Sequence, residues 1–499
     1  MAETTSSFDT PFGTIFGTSF DRSFRTEAGA GARPRVQLFE VSTLYGAATL
    51  AAALDAGLFG PRHRALRVLL VSNNAEVPET ASRLDGMAGW HRLAARFDRV
   101  VDWNDTIRPH HPGTWTPAGN DAPLWERMFR ASWDLGDGPI DLAVESVHVS
   151  PARALATIFA DASVHVYADG LMSYGPTREK LPQSIACRIR RLLHLDLVPG
   201  LTPLLLTEYG VPSELVPSDT FRSVLDELDD AADDIEDAAA TGADDADASG
   251  APTAVLLGQY LAALGILTVD EEEALHERML RGAAAAGHRA ILFKPHPTAP
   301  ARYSKVLDKA AADTGVRLEI LDRPMLAEAV FRRYRPRLVV GCFSTAMLTA
   351  SALYGVPIAR VGTELLLDRL APYQNSNRIP VTIVDALVPD LEAPDAGEGA
   401  RGEVVTDSAD AGRRIEPLVR TVGYCMQADR HPELRAEAEA WLTAHFGEDT
   451  ARYFKRRRLT ALGLPGGLTP GLVRRLPGSD TALRAARRMK RAAAHGRRR

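Results

Sequence analysis

Residues 289–354 constrain this chain of 499 residues more than any other stretch. They open with an apolar strand pattern running into a turn, RAILFKPHPTAP, and close on a second, RLVVGCFSTAMLTASALY. Between these lie two segments of helical spacing, about 299–314 and 325–334, separated by the strand-like VRLEIL. Short apolar runs alternating with helices predict a parallel sheet wound by helices on both faces. Ligands of such sheets sit beyond the carboxyl ends of the strands. Lys294 and His296 fall just after one strand, with Pro297 following. Ser344 and Thr345 fall after another, where they also open a helix. Unpaired N–H groups and the dipole at a helix start favour an anion. The pattern reads as a pocket for a nucleotide phosphate.

The rest of the chain repeats the rhythm. Residues 1–33 are poor in aliphatics, carry a repeated Phe-Gly-Thr at 12–14 and 16–18, and read as a disordered arm or a mis-assigned start. Strand patterns follow at 36–41, 66–71, 99–103, 142–144 and 163–167, with a possible sixth at 204–206. Ser42 and Thr43 can cap the Ala-rich helix after the first strand. The fifth strand ends in Ala168-Asp169-Gly170, and a loop occupies 104–122. These elements predict a first Rossmann-like domain over 34–222. Residues 226–252 hold no aromatic and almost no large aliphatic residue, so 223–252 is expected to be an acidic linker or surface insertion. A second Rossmann-like domain is expected over 253–395. It starts with AVLLGQYL, where Gly258-Gln259 makes the turn, and includes strands at 356–361 and 381–384. Helices over 396–465 and a basic tail over 466–499 complete the expected α/β architecture. Two such domains with C-terminal helices are common among nucleotide-sugar glycosyltransferases.

Bulk properties exclude more than they assert. The net charge of −6 hides an asymmetry, because 226–247 holds acids and no base while 482–499 holds bases and no acid. Three widely spaced cysteines argue against a disulfide framework and for a reducing compartment. No apolar run approaches the roughly 18–20 residues that span a bilayer, and the N-terminus lacks the charged-then-apolar order of a secretory signal. A cytoplasmic protein is expected. The basic tail could lie on an anionic inner membrane face or serve only as a solubiliser. Without aromatic stacking residues beside the charge, nucleic acid is not an expected partner.

Taken together, YADGLMSYG, LLGQYL, FKPHP and GCFSTAMLTAS resemble the bacterial sialyltransferases, and most closely the bacterial polysialyltransferase family. That family has an acidic-acidic-Gly motif, then His-Pro, then Ser-Ser or Ser-Thr. The resemblance implies a GT-B fold, with two Rossmann-like domains facing each other across a cleft. It also implies CMP-sialic acid as donor, inversion at the anomeric centre and no metal or other cofactor in the chemistry. Asp169 would be the base that deprotonates an acceptor hydroxyl. His296 would bind or protonate the departing phosphate, and Ser344 and Thr345 would hydrogen-bond it. Gly258, Gln259, Lys294, Pro297 and Glu328 would line the donor site, Glu328 holding the ribose hydroxyls. The partners expected are a nucleotide-sugar donor and a surface or capsular glycan or glycolipid acceptor.

Each residue has a plainer role available. His296 could sit in an extended turn imposed by Pro297, and Ser344-Thr345 could be a helix cap only. Lys294 and Glu328 could be solvated charges, Gly258-Gln259 a tight turn, and Tyr174 packing. One position departs from the family motif: its first acid is Ala168 here. Asp169, Glu145 or Glu40 must then supply the base, or none does. A CDP-polyol phosphotransferase, a UDP-sugar transferase and a non-catalytic nucleotide-binding scaffold of glycan assembly therefore stand as rivals.

Overall fold

The computed structural model describes residues 35–80, 83–239, 252–296, 304–321, 325–393, 404–405 and 409–468. The proposed N-terminal arm and nearly all of the basic tail lie outside them, as does Pro297. A first sheet holds β1 (Arg35–Val41), β2 (Ala65–Val71), β3 (Arg99–Asp102), β4 (Ile140–Val144), β5 (Ser163–Ala168), β6 (Ile189–Leu195) and β7 (Ser213–Val216). Its order is β3-β2-β1-β4-β5-β6-β7, with every pair parallel. The chain reverses its direction of travel across the sheet between β1 and β4, and at such a crossover a crevice opens beyond the strand ends. The alternation along β1 shows why these segments are strands. Val36 and Leu38 enter the core on one face, Phe39 and Val41 the core on the other. Burial on both faces is typical of parallel sheets.

The second sheet holds β8 (Ala254–Leu257), β9 (Ala290–Lys294), β10 (Arg317–Ile320), β11 (Leu338–Gly341) and β12 (Ile358–Arg360), in the order β10-β9-β8-β11-β12 and again parallel. Two Rossmann-like sheets, with the apolar core of the second continuous with one face of the first, form the GT-B architecture. C-terminal helices tie the halves together. In the helix Ala409–Met426, Gly412 lies so close to the Pro199–Leu201 backbone that a Cβ there would stand 2.4 Å from Pro199 O and from Leu201 N. Further along, Gln427 Nε2 donates to Arg178 O at 2.8 Å and Arg430 Nη1 donates to Thr177 O at 2.8 Å.

Three expectations are corrected. The sixth strand is β6, not 204–206. Leu206 adopts a left-handed conformation (φ 64°) and its N–H donates to Thr177 Oγ1, which breaks any strand there. Residues 381–384 belong to the helix Arg378–Leu387, not to the sheet. The fully buried Arg378 side chain anchors that helix by donating to the carbonyls of Tyr373 and Leu370. The acidic segment is not wholly a linker, since the helix Ser218–Ala239 runs through its first half. Phe221, Val224, Leu225 and Leu228 bury one face of that helix, which packs on the helix Leu44–Asp55. Residues 240–251 lie outside the described set.

Candidate active site

The site forms where strand ends of both sheets converge. On the first sheet, β1, β4 and β5 end side by side, so Glu40 near the end of β1 and Glu145 and Asp169 just past the others form a carboxyl cluster. Ser72 Oγ donates to Glu40 Oε1 at 3.0 Å, and Ser42 Oγ donates to Glu145 Oε2 at 3.2 Å. Tyr167 Oη donates to Glu40 O at 3.0 Å, closing the base of the cluster. Asp169 Oδ2 lies 3.5 Å from where a Cβ on Gly46 would stand, in the first turn of the helix Leu44–Asp55. That turn presents the positive end of a dipole to the carboxylate. Glu40 is almost wholly buried, while Asp169 and Glu145 are half-buried at the cleft.

Desolvation sets the protonation of this trio. It pushes Glu40 up to about 7, against weaker opposing hydrogen bonds. Desolvation together with the neighbouring Asp169 and Glu40 charges pushes Glu145 up to about 8. Asp169 rises less, to about 6, mainly through burial. Near pH 7, Glu145 keeps its proton and Asp169 carries the negative charge. Position 168, acidic in the motif resembled, is Ala168 at the end of β5. The carboxyl beside Asp169 comes from β4 instead.

On the second sheet, β9 delivers Lys294 and His296, and β11 delivers Ser344 and Thr345. Lys294 is buried and its ammonium is held below its usual range by burial, against the attraction of Glu328. Glu328 is itself buried in the first turn of the helix Ala327–Tyr334, and burial raises its carboxyl. It is therefore not a solvated surface acid. His296 is half-buried, with its ring centroid 4.1 Å from that of Tyr260. Burial, reinforced by the Lys294 charge, lowers its imidazole to about 4. Gly258 is required by close approach: a Cβ there would meet Phe293 Cζ at 2.8 Å and Pro295 Cα at 3.2 Å. The Gly258 N–H donates to Lys294 O at 2.9 Å, locking the two turns together. Gln259 is buried, and its Oε1 accepts no hydrogen bond among the described residues.

Ser344 is the N-cap of the helix Thr345–Tyr354, yet its side chain makes no cap hydrogen bond. Its hydroxyl is not used by its own helix, which distinguishes it from a purely structural cap. The two halves meet at this point. A Cβ on Gly170, the residue after Asp169, would stand 3.2 Å from Thr345 Oγ1. Tyr45, in the helix after β1, has its phenol held above its usual range by burial first and then by the nearby charges of Glu328 and Asp169. Asp169, Glu328, Lys294, His296, Ser344 and Thr345 thus surround one cleft, while Tyr174 packs in the core and accepts from Val198 N. Sequence reasoning missed Tyr45 and Tyr260 as site residues, although each lies just beyond a strand end that it had located. Among the described residues no group of three or more His, Cys, Asp or Glu side chains is arranged to hold a metal.

A family model described as "Alpha-2,8-polysialyltransferase (POLYST)" matches residues 37–363, about two thirds of the chain and the whole of the cleft. The chain belongs to that family. It is accordingly a glycosyltransferase of the sialyltransferase kind, which implies a nucleotide-sugar donor and a glycan acceptor. Comparison with curated protein sequences gives no match. Among solved structures the chain is similar to the GT-B domain of a sialyltransferase from Photobacterium damselae, at 10% identity over 70% of this chain and 95% of that one, with a TM-score of 0.37. It is also similar to Acinetobacter baumannii MurG, at 11% identity over 80% of this chain and 95% of that one, with a TM-score of 0.35. At these scores neither likeness bears on function. Among the described residues no helix is long and apolar enough to cross a membrane.

Proposed function

We propose that this family member is an inverting sialyltransferase that uses a CMP-activated sialic acid, or a related nonulosonic acid, without a metal in the chemistry. The acceptor is a surface or capsular glycan, reached from the cytoplasmic face with the basic tail against the membrane. The observation that carries the reading is the meeting of Asp169-Gly170 with Thr345, which sets a carboxylate of one domain against the phosphate-type cradle of the other. Asp169 is the base: it takes the proton of the acceptor hydroxyl as that oxygen bonds to the anomeric carbon. The bond from that carbon to the phosphate oxygen breaks on the opposite face, and the electron pair leaves with CMP.

The charge that develops on the leaving phosphate is met by Ser344, Thr345, the start of their helix and Lys294. His296 is neutral in the empty site. A phosphate beside it favours the imidazolium, so His296 takes up a proton on donor binding and donates it, or a hydrogen bond, to the departing group. Gln259 Oε1 and Glu328 are available to the nucleoside, Glu328 as the acceptor for ribose hydroxyls. The test is CMP release from CMP-sialic acid. His296→Ala should lower turnover by roughly 100-fold or more, and Asp169→Asn should abolish transfer while CMP still binds. A wild-type protein that releases no CMP from this donor with any acceptor refutes the reading.

A further inference from the structure

The helix Leu44–Asp55 follows β1 and brings its first turn against the carboxyl of Asp169. Thr43 Oγ1 accepts from Gly46 N at 2.9 Å and fixes that turn, while Gly46 leaves room beside it for Tyr167 Oη and Asp169 Oδ2. Tyr45 is thereby held in the same turn, on the Asp169 side of the cleft. Its ring packs edge-on against Phe221 of the helix Ser218–Ala239, with the centroids 5.3 Å apart. A phenylalanine would pack there equally well, so the packing does not account for the hydroxyl.

Tyr45 Oη is buried and makes no hydrogen bond among the described residues. Thr349 lies beside it, but the Thr349 hydroxyl donates to Thr345 O at 3.1 Å and is not in hydrogen-bond geometry with Tyr45. Burying a hydroxyl without a partner costs free energy, and such groups are few in folded proteins. The phenol keeps its proton across the physiological range, because burial and the nearby Glu328 and Asp169 charges oppose its loss. It therefore offers an O–H to a ligand acceptor.

Its place says which acceptor. In the reading above, Glu328 holds the ribose and Asp169 stands at the anomeric carbon, and Tyr45 is close enough to feel both carboxyls. Between ribose and anomeric carbon a CMP-activated sialic acid carries its phosphate, and the anomeric carbon itself carries a carboxylate. Both are anionic oxygen acceptors, the kind that form the stronger hydrogen bonds. We propose that Tyr45, a residue of the first domain, donates a hydrogen bond from Oη to an anionic oxygen of the donor, so that the donor is held from both domains. The proposal rests on the CMP-sugar reading. It also seats the sugar beside its base, because the turn that carries Tyr45 is the one packed on Asp169.

Tyr45→Phe removes the hydroxyl and keeps the ring. CMP and a fluorinated CMP-sialic acid analogue that resists turnover are titrated by calorimetry into the full wild-type chain and into the variant. The melting temperature of each protein is measured without ligand. The variant is expected to bind the analogue about tenfold weaker or more. It should melt no more than about 2 °C below wild type, since the lost hydroxyl bonds nothing in the protein. An equal loss with CMP assigns the bond to the phosphate, and a loss confined to the analogue assigns it to the sugar carboxylate. A smaller loss with the analogue overturns the proposal, as does a larger fall in melting temperature, which makes the hydroxyl part of the fold. Wild type that binds both ligands while the variant binds them equally well removes only the Tyr45 assignment. Wild type that binds neither removes the CMP-sugar reading and this proposal with it.

Discussion

Replacing Glu40 with glutamine should stabilise the protein in mild alkali and leave its stability in acid unchanged. Glu40 is 2% exposed, and burial moves its carboxyl from 4.5 to about 7. Below pH 4.5 both folded and unfolded chains keep the proton, and the group contributes nothing to pH dependence. Between 4.5 and 7 the unfolded chain ionises first, so the folded state is progressively disfavoured; above 7 the penalty is complete. The span from 4.5 to about 7 corresponds to about 3 kcal/mol. Glutamine preserves the shape and can still accept from Ser72 Oγ, so the substitution removes ionisation and little else. Thermal unfolding at about pH 8 should show the variant melting roughly 5 °C or more above wild type, with the two coinciding near pH 4. If the variant is no more stable than wild type at pH 8, burial does not govern the protonation of the cluster. The assignment of Asp169 as its charged member then fails with it.

Transfer should rise with pH through about 6 as Asp169 ionises, in a pH-rate profile measured with saturating donor, and Asp169→Asn should abolish that limb along with the activity. CMP binding should take up a proton near neutral pH, seen as a dependence of the calorimetric enthalpy on buffer ionisation; His296→Ala should remove that dependence. Gly258→Ala should weaken CMP binding about tenfold or more by displacing the Lys294–Pro295 backbone, with little loss of overall fold by circular dichroism. Gly412→Ala forces a Cβ to within 2.4 Å of the Pro199–Leu201 backbone, so it should lower the free energy of unfolding by about 2 kcal/mol or more, read by denaturant titration, and open the junction between the halves to proteolysis.

The sheets were legible because their central strands are buried on both faces, and continuous runs such as AVLL at β8 and ILFK at β9 leave little room for another reading. Strand β6 was hidden by its Arg190-Arg191 pair. Arg191 leaves the core to pair with Glu214 on β7, a partner that no local pattern reveals. The run at 381–384 misled because a short apolar stretch fits a strand or a helix equally well, and only the buried Arg378 decides between them. Asp169, His296, Ser344 and Thr345 were legible as strand-end residues. The gathering of Glu40 and Glu145 around Asp169 was not, because it depends on the order β1-β4-β5 in the sheet and on the protonation that burial imposes. Nor could the sequence show that Ser344 leaves its helix uncapped.

The central claim is that the cleft takes a CMP-activated sugar between Asp169 and the His296–Thr345 cradle. Calorimetric titration with CMP, CDP, UDP and GDP, with and without EDTA, tests it most directly. The account predicts selective CMP binding that EDTA leaves intact and that His296→Ala weakens. Tighter binding of CDP or UDP, or binding of none of the four, contradicts it.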